Sequence, residues 1–162
     1  MAHRHTDPAP STAAIRSHPI HPMLIPFPLA FLVGVLLTDL AYWATSDPFW
    51  ARASLWLVGA GVVSGLIAAA FGLVDFFTIR RARDHAIGWI HFLGNATALI
   101  LSLVNWLLRF DDPAAAILPW GLLLSVIVAA ILGVTGWAGG ELSYRHRIGV
   151  MREPDSDLGG RL

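Results

Sequence analysis

The sequence contains no cysteine and no lysine, and it carries little charge of either sign. All 11 basic residues are arginine, 11 residues are acidic, and charged residues make up 14% of the 162. Without cysteine the chain cannot itself build a disulfide, a thiolate zinc site, an iron–sulfur cluster or a covalent c-type haem link. The formal net charge is zero and the arginines form no basic stripe, so we expect no nucleic-acid partner.

Apolar residues are what the sequence has in abundance. They make up 56% of the chain, and the mean hydropathy is +0.62. A soluble domain has about 45–50% apolar and about 25% charged residues, and disordered or coiled-coil chains are more polar still. A membrane-spanning helix takes roughly 20 apolar residues. The composition therefore predicts an all-α integral membrane protein, a four-helix bundle embedded in the lipid bilayer.

Four apolar runs define the predicted spans, at residues 24–43, 53–77, 87–108 and 117–137. Prolines crowd the first run and predict a regular helix from Pro26, after an extended or turned segment at 18–22. Asp47, Asp84 and Asp112 are the expected caps of the later helices. The short connection between spans 2 and 3 makes them antiparallel neighbours. Residues 18–150 form the membrane domain, and the polar stretches 1–17 and 151–162 are predicted to be disordered tails.

The arginines predict the orientation of the four spans. Nine lie on the side of both termini, and only Arg52 and Arg109 lie on the opposite side. Because cytoplasmic segments are enriched in arginine, both termini are expected to be cytoplasmic.

Five histidines outside the tails fall at the cytoplasmic ends of the spans: His18, His21, His85, His91 and His146. His91 lies about one turn into span 3. Three further polar residues of that span, Asn95, Ser102 and Asn105, lie within about 40° of it on a helix and should face the bundle interior. This stripe either forms hydrogen bonds between helices or contacts a ligand.

Imidazole binds haem iron and divalent metals, so a single cofactor site near the cytoplasmic face is one hypothesis. The candidate cofactor ligands are His91, His21, His18 and Asn95. The metal candidates are His18, His21, His85, His91 and Asp75. Prolines around His18 and His21 argue against a helix there and favour a loop that caps a helix or closes a site. With no histidine in the outer half, a two-haem relay across the bilayer is excluded, but one b-type haem is not.

Two carboxylates lie within the spans. Asp75 ends span 2 at a depth where a charge needs a partner, either an arginine or a histidine. Asp39 lies in the outer third of span 1, close enough to the boundary for water to reach it. Small residues at intervals of three or four, including Gly72 in span 2 and Gly133 in span 4, suit close helix packing, a dimer contact or a flat cofactor.

Several motifs resemble the bacterial membrane family named domain of unknown function 2231. They are His18-Pro19-Ile20-His21-Pro22, Gly72-Leu73-Val74-Asp75, His91-Phe92-Leu93-Gly94-Asn95 and the Gly136-Trp137-Ala138-Gly139-Gly140-Glu141-Leu142-Ser143-Tyr144-Arg145-His146 segment. The resemblance covers about residues 17–150. It implies a four-span protein of the bacterial cytoplasmic (inner) membrane without an established molecular function. Relatives that are fused to a Rieske-type domain imply a redox setting. The family often has Gly-Val-Gly-Val where this chain has Arg147-Ile148-Gly149-Val150, and Arg147 argues against a close backbone approach there.

Three functions remain open from the sequence. One is a redox-associated module that binds one b-type haem or metal and meets a redox partner protein. A second is a non-catalytic membrane scaffold or assembly partner, and a third is a small-solute or proton transporter that acts as a homo-oligomer. No hydrolase or transferase motif is present, so no catalytic residue is assigned and an enzyme is not favoured.

Overall fold

The computed structural model describes residues 8–150, which are almost entirely helical. A two-stranded antiparallel sheet near the N-terminus pairs β1 with β2, Ala14 opposite Pro19. The elements in chain order are β1 (Ala14–Ile15), β2 (His18–Pro19), α1 (Ile20–Leu24), α2 (Pro26–Thr45), α3 (Pro48–Thr78), α4 (Arg80–Asp84), α5 (Ala86–Leu107), α6 (Pro113–Ala116), a π-helical turn (Ile117–Gly121), α7 (Leu122–Gly140) and a second π-helical turn (Glu141–Arg145).

Within the described residues, four helical stretches are long and apolar enough to cross a membrane: Ile20–Thr45, Pro48–Thr78, Ala86–Leu107 and Pro113–Arg145. Large apolar side chains such as Leu37, Trp56 and Ile100 remain exposed on their outer faces. In a bilayer these faces contact lipid, so their exposure costs nothing. The predicted all-α architecture with four membrane helices is confirmed.

The four long helices pack as two pairs, α2 against α3 and α5 against α7, and the pairs contact each other through α3–α5 and α2–α7. The central core contains Leu32, Val35, Val58, Ala98 and Val128. A second buried cluster lies at one end of the bundle and contains Phe76, Ile79, Ala82 and Ile148. We call this end, which also holds His21 and His91, the histidine end.

Two of the three predicted caps are confirmed. The Asp47 carboxylate accepts a hydrogen bond from the Phe49 amide at 2.9 Å, and Asp112 accepts from the first amides of α6. The third prediction is wrong, because Asp84 is the last residue of α4 and His85 occupies the cap position of α5 without a side-chain bond. The additional helix α4 takes up the short connection between the second and third spans.

The first span differs from the prediction before Pro26. Helix α2 begins at Pro26 as expected, but residues 20–24 form the short helix α1, which carries His21. Pro22 is the third residue of α1, where an amide would have no partner within the helix anyway, so the proline does not prevent it. At the other end of the chain, Gly139 and Gly140 do not end the last helix, which continues through the second π-helical turn to Arg145.

Residues 8–17 of the predicted N-terminal tail are described and contact the bundle, whereas residues 1–7 and 151–162 lie outside the described part of the chain. Ala9 forms a parallel bridge with Ile148, and its amide donates to the Arg147 carbonyl at 2.9 Å. Arg147 takes the left-handed conformation with φ 53°, which glycine adopts more readily. The close backbone approach that Arg147 argued against therefore occurs.

Candidate functional site

His21 and His91 come together at the histidine end from different helices. Their ring centroids are 6.3 Å apart and their planes are nearly perpendicular, at 88°. The Nδ1 atom of His21 lies 2.8 Å from the Ala68 carbonyl oxygen of α3. The Nδ1 atom of His91 lies 2.8 Å from the Thr135 carbonyl oxygen of α7. Both Nδ1 atoms therefore carry a proton, since a carbonyl only accepts, and in a neutral imidazole this tautomer leaves Nε2 with its lone pair.

The Nε2 atoms of both rings are available to a ligand. Neither forms a hydrogen bond within residues 8–150, and both side chains are half-buried. A histidine whose Nδ1–H is held by a backbone carbonyl is the usual arrangement of a metal-ligating imidazole, because that bond fixes the ring and raises its basicity. The same two bonds also join α1 to α3 and α5 to α7, so they contribute to helix packing as well.

Each of the two rings lies against a glycine. A Cβ atom at Gly72 would lie 2.7 Å from Cε1 of His21, and a Cβ atom at Gly139 would lie 2.9 Å from Cε1 of His91. These distances are shorter than any side chain tolerates. The small residues of the second and fourth spans thus make room for the two imidazoles, in addition to packing helices.

The separation of the rings distinguishes between modes of metal binding. With a metal–nitrogen bond of about 2.0–2.1 Å and the ring centre about 1.1 Å beyond the nitrogen, two imidazoles in trans on one metal have centroids about 6.3 Å apart. At a tetrahedral angle the same lengths give about 5 Å. The observed centroid separation of 6.3 Å equals the trans value and exceeds the tetrahedral one.

The polar stripe of the third span lies on the inner side of α5. Asn95 donates to the His91 carbonyl at 2.7 Å and accepts from the Thr135 hydroxyl at 3.2 Å. It therefore supports His91 and is not placed as a ligand itself. Ser102 and Asn105 are buried deeper in the bundle, away from the two histidines.

An apolar groove of about 270 Å³ opens between α5 and α7 beside this support. Its lining is Ile90, Gly94, Ala130, Ile131, Val134 and Thr135. Thr135 belongs both to the groove and to the anchor of His91. An apolar surface therefore adjoins the anchor of His91, although neither histidine lines it.

The remaining histidines do not join this pair. The rings of His85 and His146 lie 4.2 Å apart in a separate, tilted contact, and His18 bonds to the Arg16 carbonyl in its own turn. Within residues 8–150, no three or more histidine, aspartate and glutamate side chains are grouped closely enough to hold a metal ion. The predicted metal ligands therefore do not form one site. His21 lies near His91 and His85 lies near His146, whereas His18 and Asp75 lie apart from both pairs.

Asp75 has a partner that neither sequence interpretation anticipated. Its carboxylate accepts hydrogen bonds from the Ser11 hydroxyl at 2.7 and 2.9 Å, from the Thr12 amide at 2.9 Å and from the Ala13 amide at 3.0 Å. The Thr12 hydroxyl adds a further bond at 3.1 Å. These bonds from residues 11–13 of the N-terminal segment satisfy the carboxylate.

Asp39 is fully buried, so the expectation that water reaches it is wrong. The Arg109 guanidinium forms a bidentate pair with its carboxylate, Nη1 to Oδ1 and Nη2 to Oδ2, both at 2.8 Å. Ser54 donates to Oδ1 at 2.5 Å, and Ser125 donates to Oδ2 at 2.6 Å. Arg109 also donates from Nε to the side-chain oxygen Oδ1 of Asn105 at 3.1 Å. We call these five residues the ion-pair network, and they join all four spans.

The sequence offered only weak signals for several of these contacts. The position of Arg109 after span 3 predicts an outer-loop charge. The chain turns after α5, however, and the Arg109 side chain lies buried in the bundle. Ser54 and Ser125 are isolated hydroxyls among apolar residues, where a buried partner is expected but cannot be named. Ser11 and Thr12 lie in a polar segment whose composition resembles disorder.

The comparisons with known proteins found one match. A family model described as "Predicted membrane protein (DUF2231)" matches residues 17–152. No curated protein and no solved structure matches the chain.

Proposed function

We propose that this chain, which belongs to the DUF2231 family of predicted membrane proteins, binds one b-type haem between His21 and His91. The observation that carries the proposal is the 6.3 Å separation of the two rings in perpendicular planes. Trans imidazoles are the axial ligands of a six-coordinate haem iron. The backbone anchors on both Nδ1 atoms and the two glycine contacts support the same interpretation.

Haem is favoured over a bare metal ion because the protein supplies only two ligands. Structural zinc takes four protein ligands and catalytic zinc takes three. The His21–His91 pair has no third side-chain ligand within residues 8–150. In haem the porphyrin provides the four equatorial nitrogens, so two histidines complete the coordination.

The proposed haem belongs to the cytoplasmic side of a bacterial inner membrane. Six arginines of the described residues lie in the segments at the histidine end: Arg16, Arg80, Arg81, Arg83, Arg145 and Arg147. Cytoplasmic segments carry the excess of arginine. Arg109 does not contribute a charge to an outer loop, because Asp39 neutralises it inside the bundle. The redox role follows from the cofactor: one haem at one face would exchange electrons with a partner protein at that face. We do not extend the proposal to transport, because Asp39 and Asp75 are both engaged by protein hydrogen bonds.

The test is the absorption spectrum of the purified protein, expressed with added haem precursor. We expect a Soret band and a low-spin six-coordinate spectrum at one haem per chain. His91→Gly should lose the low-spin spectrum, and added imidazole should restore it by filling the space. The matched control is His146→Gly, which removes a histidine from the other pair at the same end. That variant should keep the spectrum unchanged.

Two outcomes would contradict the haem proposal. One is a folded wild-type protein that takes up no haem when haem is added to the purified sample. The other is a haem spectrum that survives loss of both His21 and His91.

A non-catalytic scaffold is the second candidate, and the ion-pair network favours it. This network satisfies its buried polar groups entirely within the chain, as expected of polar residues that fix a bundle. A scaffold would lose stability on substitution of His21 or His91 and would bind no cofactor. The two candidates therefore differ in the wild-type spectrum.

A further inference from the structure

The N-terminal segment before α1 is folded over the histidine end. Residues 11–19, which we call the strap, contain both strands of the small sheet and lead directly into α1. His21 follows the strap by two residues. One of the two proposed haem ligands is thus carried by a segment that lies outside the four long helices.

The strap is held mainly by one carboxylate. Asp75 Oδ1 accepts from the amides of Thr12 and Ala13 and from the Thr12 hydroxyl, and the Ser11 hydroxyl bonds to both carboxylate oxygens. Thr12 makes an additional contact to Thr78, the last residue of α3. Hydrogen bonds to an ionised carboxylate are about twice as strong as neutral ones. The side chain of Asp75 is therefore the principal attachment of the strap to α3.

His91 has no such dependence on the strap. It lies within α5 and is anchored to Thr135 of α7, both of which are long helices of the bundle. Residues before the strap are attached elsewhere, through Ala9 to the backbone at 147–149. Loosening the strap therefore acts on the segment that carries His21, whose remaining ring anchor is the Ala68 carbonyl, and leaves His91 in place.

We propose that Asp75 is a positioning residue that, through the strap, holds His21 on the haem iron. Release of the strap opens that axial position to a small neutral ligand such as carbon monoxide. This inference rests on the proposed haem site. It adds a regulated ligand site on the side of His21. There, His21, which the strap holds, and the exogenous ligand compete for one coordination position.

The test compares variants of Asp75 in the haem-loaded protein. Asp75→Ala removes every strap contact made by the carboxylate and leaves only that of Thr12 with Thr78. We expect a shift from a low-spin six-coordinate to a high-spin five-coordinate spectrum, with haem retained by His91. The affinity for carbon monoxide should rise at least about tenfold, because a larger fraction of molecules has the position open. Asp75→Asn keeps an oxygen that accepts from the Thr12 and Ala13 amides, so it should restore much of the low-spin spectrum.

Two further variants separate positioning from general loss of structure. Ser11→Ala with Thr12→Val weakens the same contacts from the strap, without any change in α3, and should shift the spectrum in the same direction. Glu141→Ala is the matched control, because Glu141 is a carboxylate at the same end that pairs with Arg145 one turn away. It should leave the spectrum and the affinity for carbon monoxide as in the wild type.

A measurement without haem tests the strap separately. Arg16 is exposed in the turn between β1 and β2, and trypsin cleaves after arginine. In the haem-free protein, cleavage after Arg16 should be faster in Asp75→Ala than in the wild type, with Glu141→Ala unchanged. Equal cleavage in all three proteins would overturn the inference, and so would a low-spin spectrum that persists in Asp75→Ala. A wild-type protein that binds no haem would instead overturn the proposed function, and the inference with it.

Discussion

Arg109→Leu should be among the most destabilising single substitutions in this bundle. Asp39 and Arg109 are both completely buried, so the remaining carboxylate would lie in an apolar interior without a counter-charge. Of the four hydrogen bonds that Asp39 accepts from other spans, two would be lost, leaving those from Ser54 and Ser125. The side-chain oxygen Oδ1 of Asn105 would lose its two bonds from Arg109 as well. Removing one member of a buried pair costs about 3–5 kcal/mol, and the orphaned amide puts our expectation at the upper end.

The double variant Asp39→Leu with Arg109→Leu provides the internal comparison. It removes both charges together, and replacement of a buried pair by apolar residues is often neutral. We therefore expect it to be more stable than Arg109→Leu alone by about 2 kcal/mol or more.

The free energy of unfolding can be followed in mixed micelles by tryptophan fluorescence on titration with sodium dodecyl sulfate. Arg52→Leu is the control, since Arg52 is exposed and its loss should change the stability by no more than about 0.5 kcal/mol. The reasoning would be refuted by a loss below about 1 kcal/mol in Arg109→Leu, the magnitude typical of a solvated surface pair. A double variant no more stable than the single one would refute it equally.

Three other predictions concern the same bundle. Gly72→Ala places a Cβ atom 2.7 Å from the ring of His21, so it should lower the free energy of unfolding by about 1–3 kcal/mol and reduce haem binding. The Cβ atom of Gly133→Ala meets open space, so this variant should be neutral or stabilising by about 0.5–1 kcal/mol. Ser125→Ala removes one donor to Asp39 and should cost about 1–3 kcal/mol in the same unfolding titration, without a change in the haem spectrum. Because the chain has no cysteine, single cysteines report the orientation directly: Asp111→Cys should react with a membrane-impermeant maleimide in intact cells, and Tyr144→Cys only after the membrane is permeabilised.

The long helices could be predicted because their signal is summed over many residues. About twenty apolar residues in a row define a span whatever their neighbours are, and Asp47 before Pro48 marks a helix start by local chemistry alone. The position of His91 on the inner face of α5 also follows from the helical period. These features depend on residues close together in the chain.

The partners of the buried carboxylates could not be predicted, because each depends on contacts between distant residues. Asp75 is bonded to residues more than 60 positions away in a segment without apolar pattern. Asp39 pairs with an arginine that sequence position assigned to a loop. Likewise, the helix at His21 could not be predicted, because the spacing of the prolines does not show that Pro22 falls in the first turn of a helix.

The ion-pair network also has a consequence for the insertion of the protein into the membrane. Asp39 precedes Arg109 by 70 residues and Ser125 by 86. During synthesis the first span therefore leaves the ribosome with a carboxylate whose counter-charge does not yet exist. The insertion cost of an aspartate reaches about 2.5–3.5 kcal/mol at a helix centre and is smaller towards the end, where Asp39 lies. Only the hydroxyl of Ser54, 15 residues later, is available early. The helices consequently cannot reach their final arrangement one after another, and the bundle closes only when the last span has arrived.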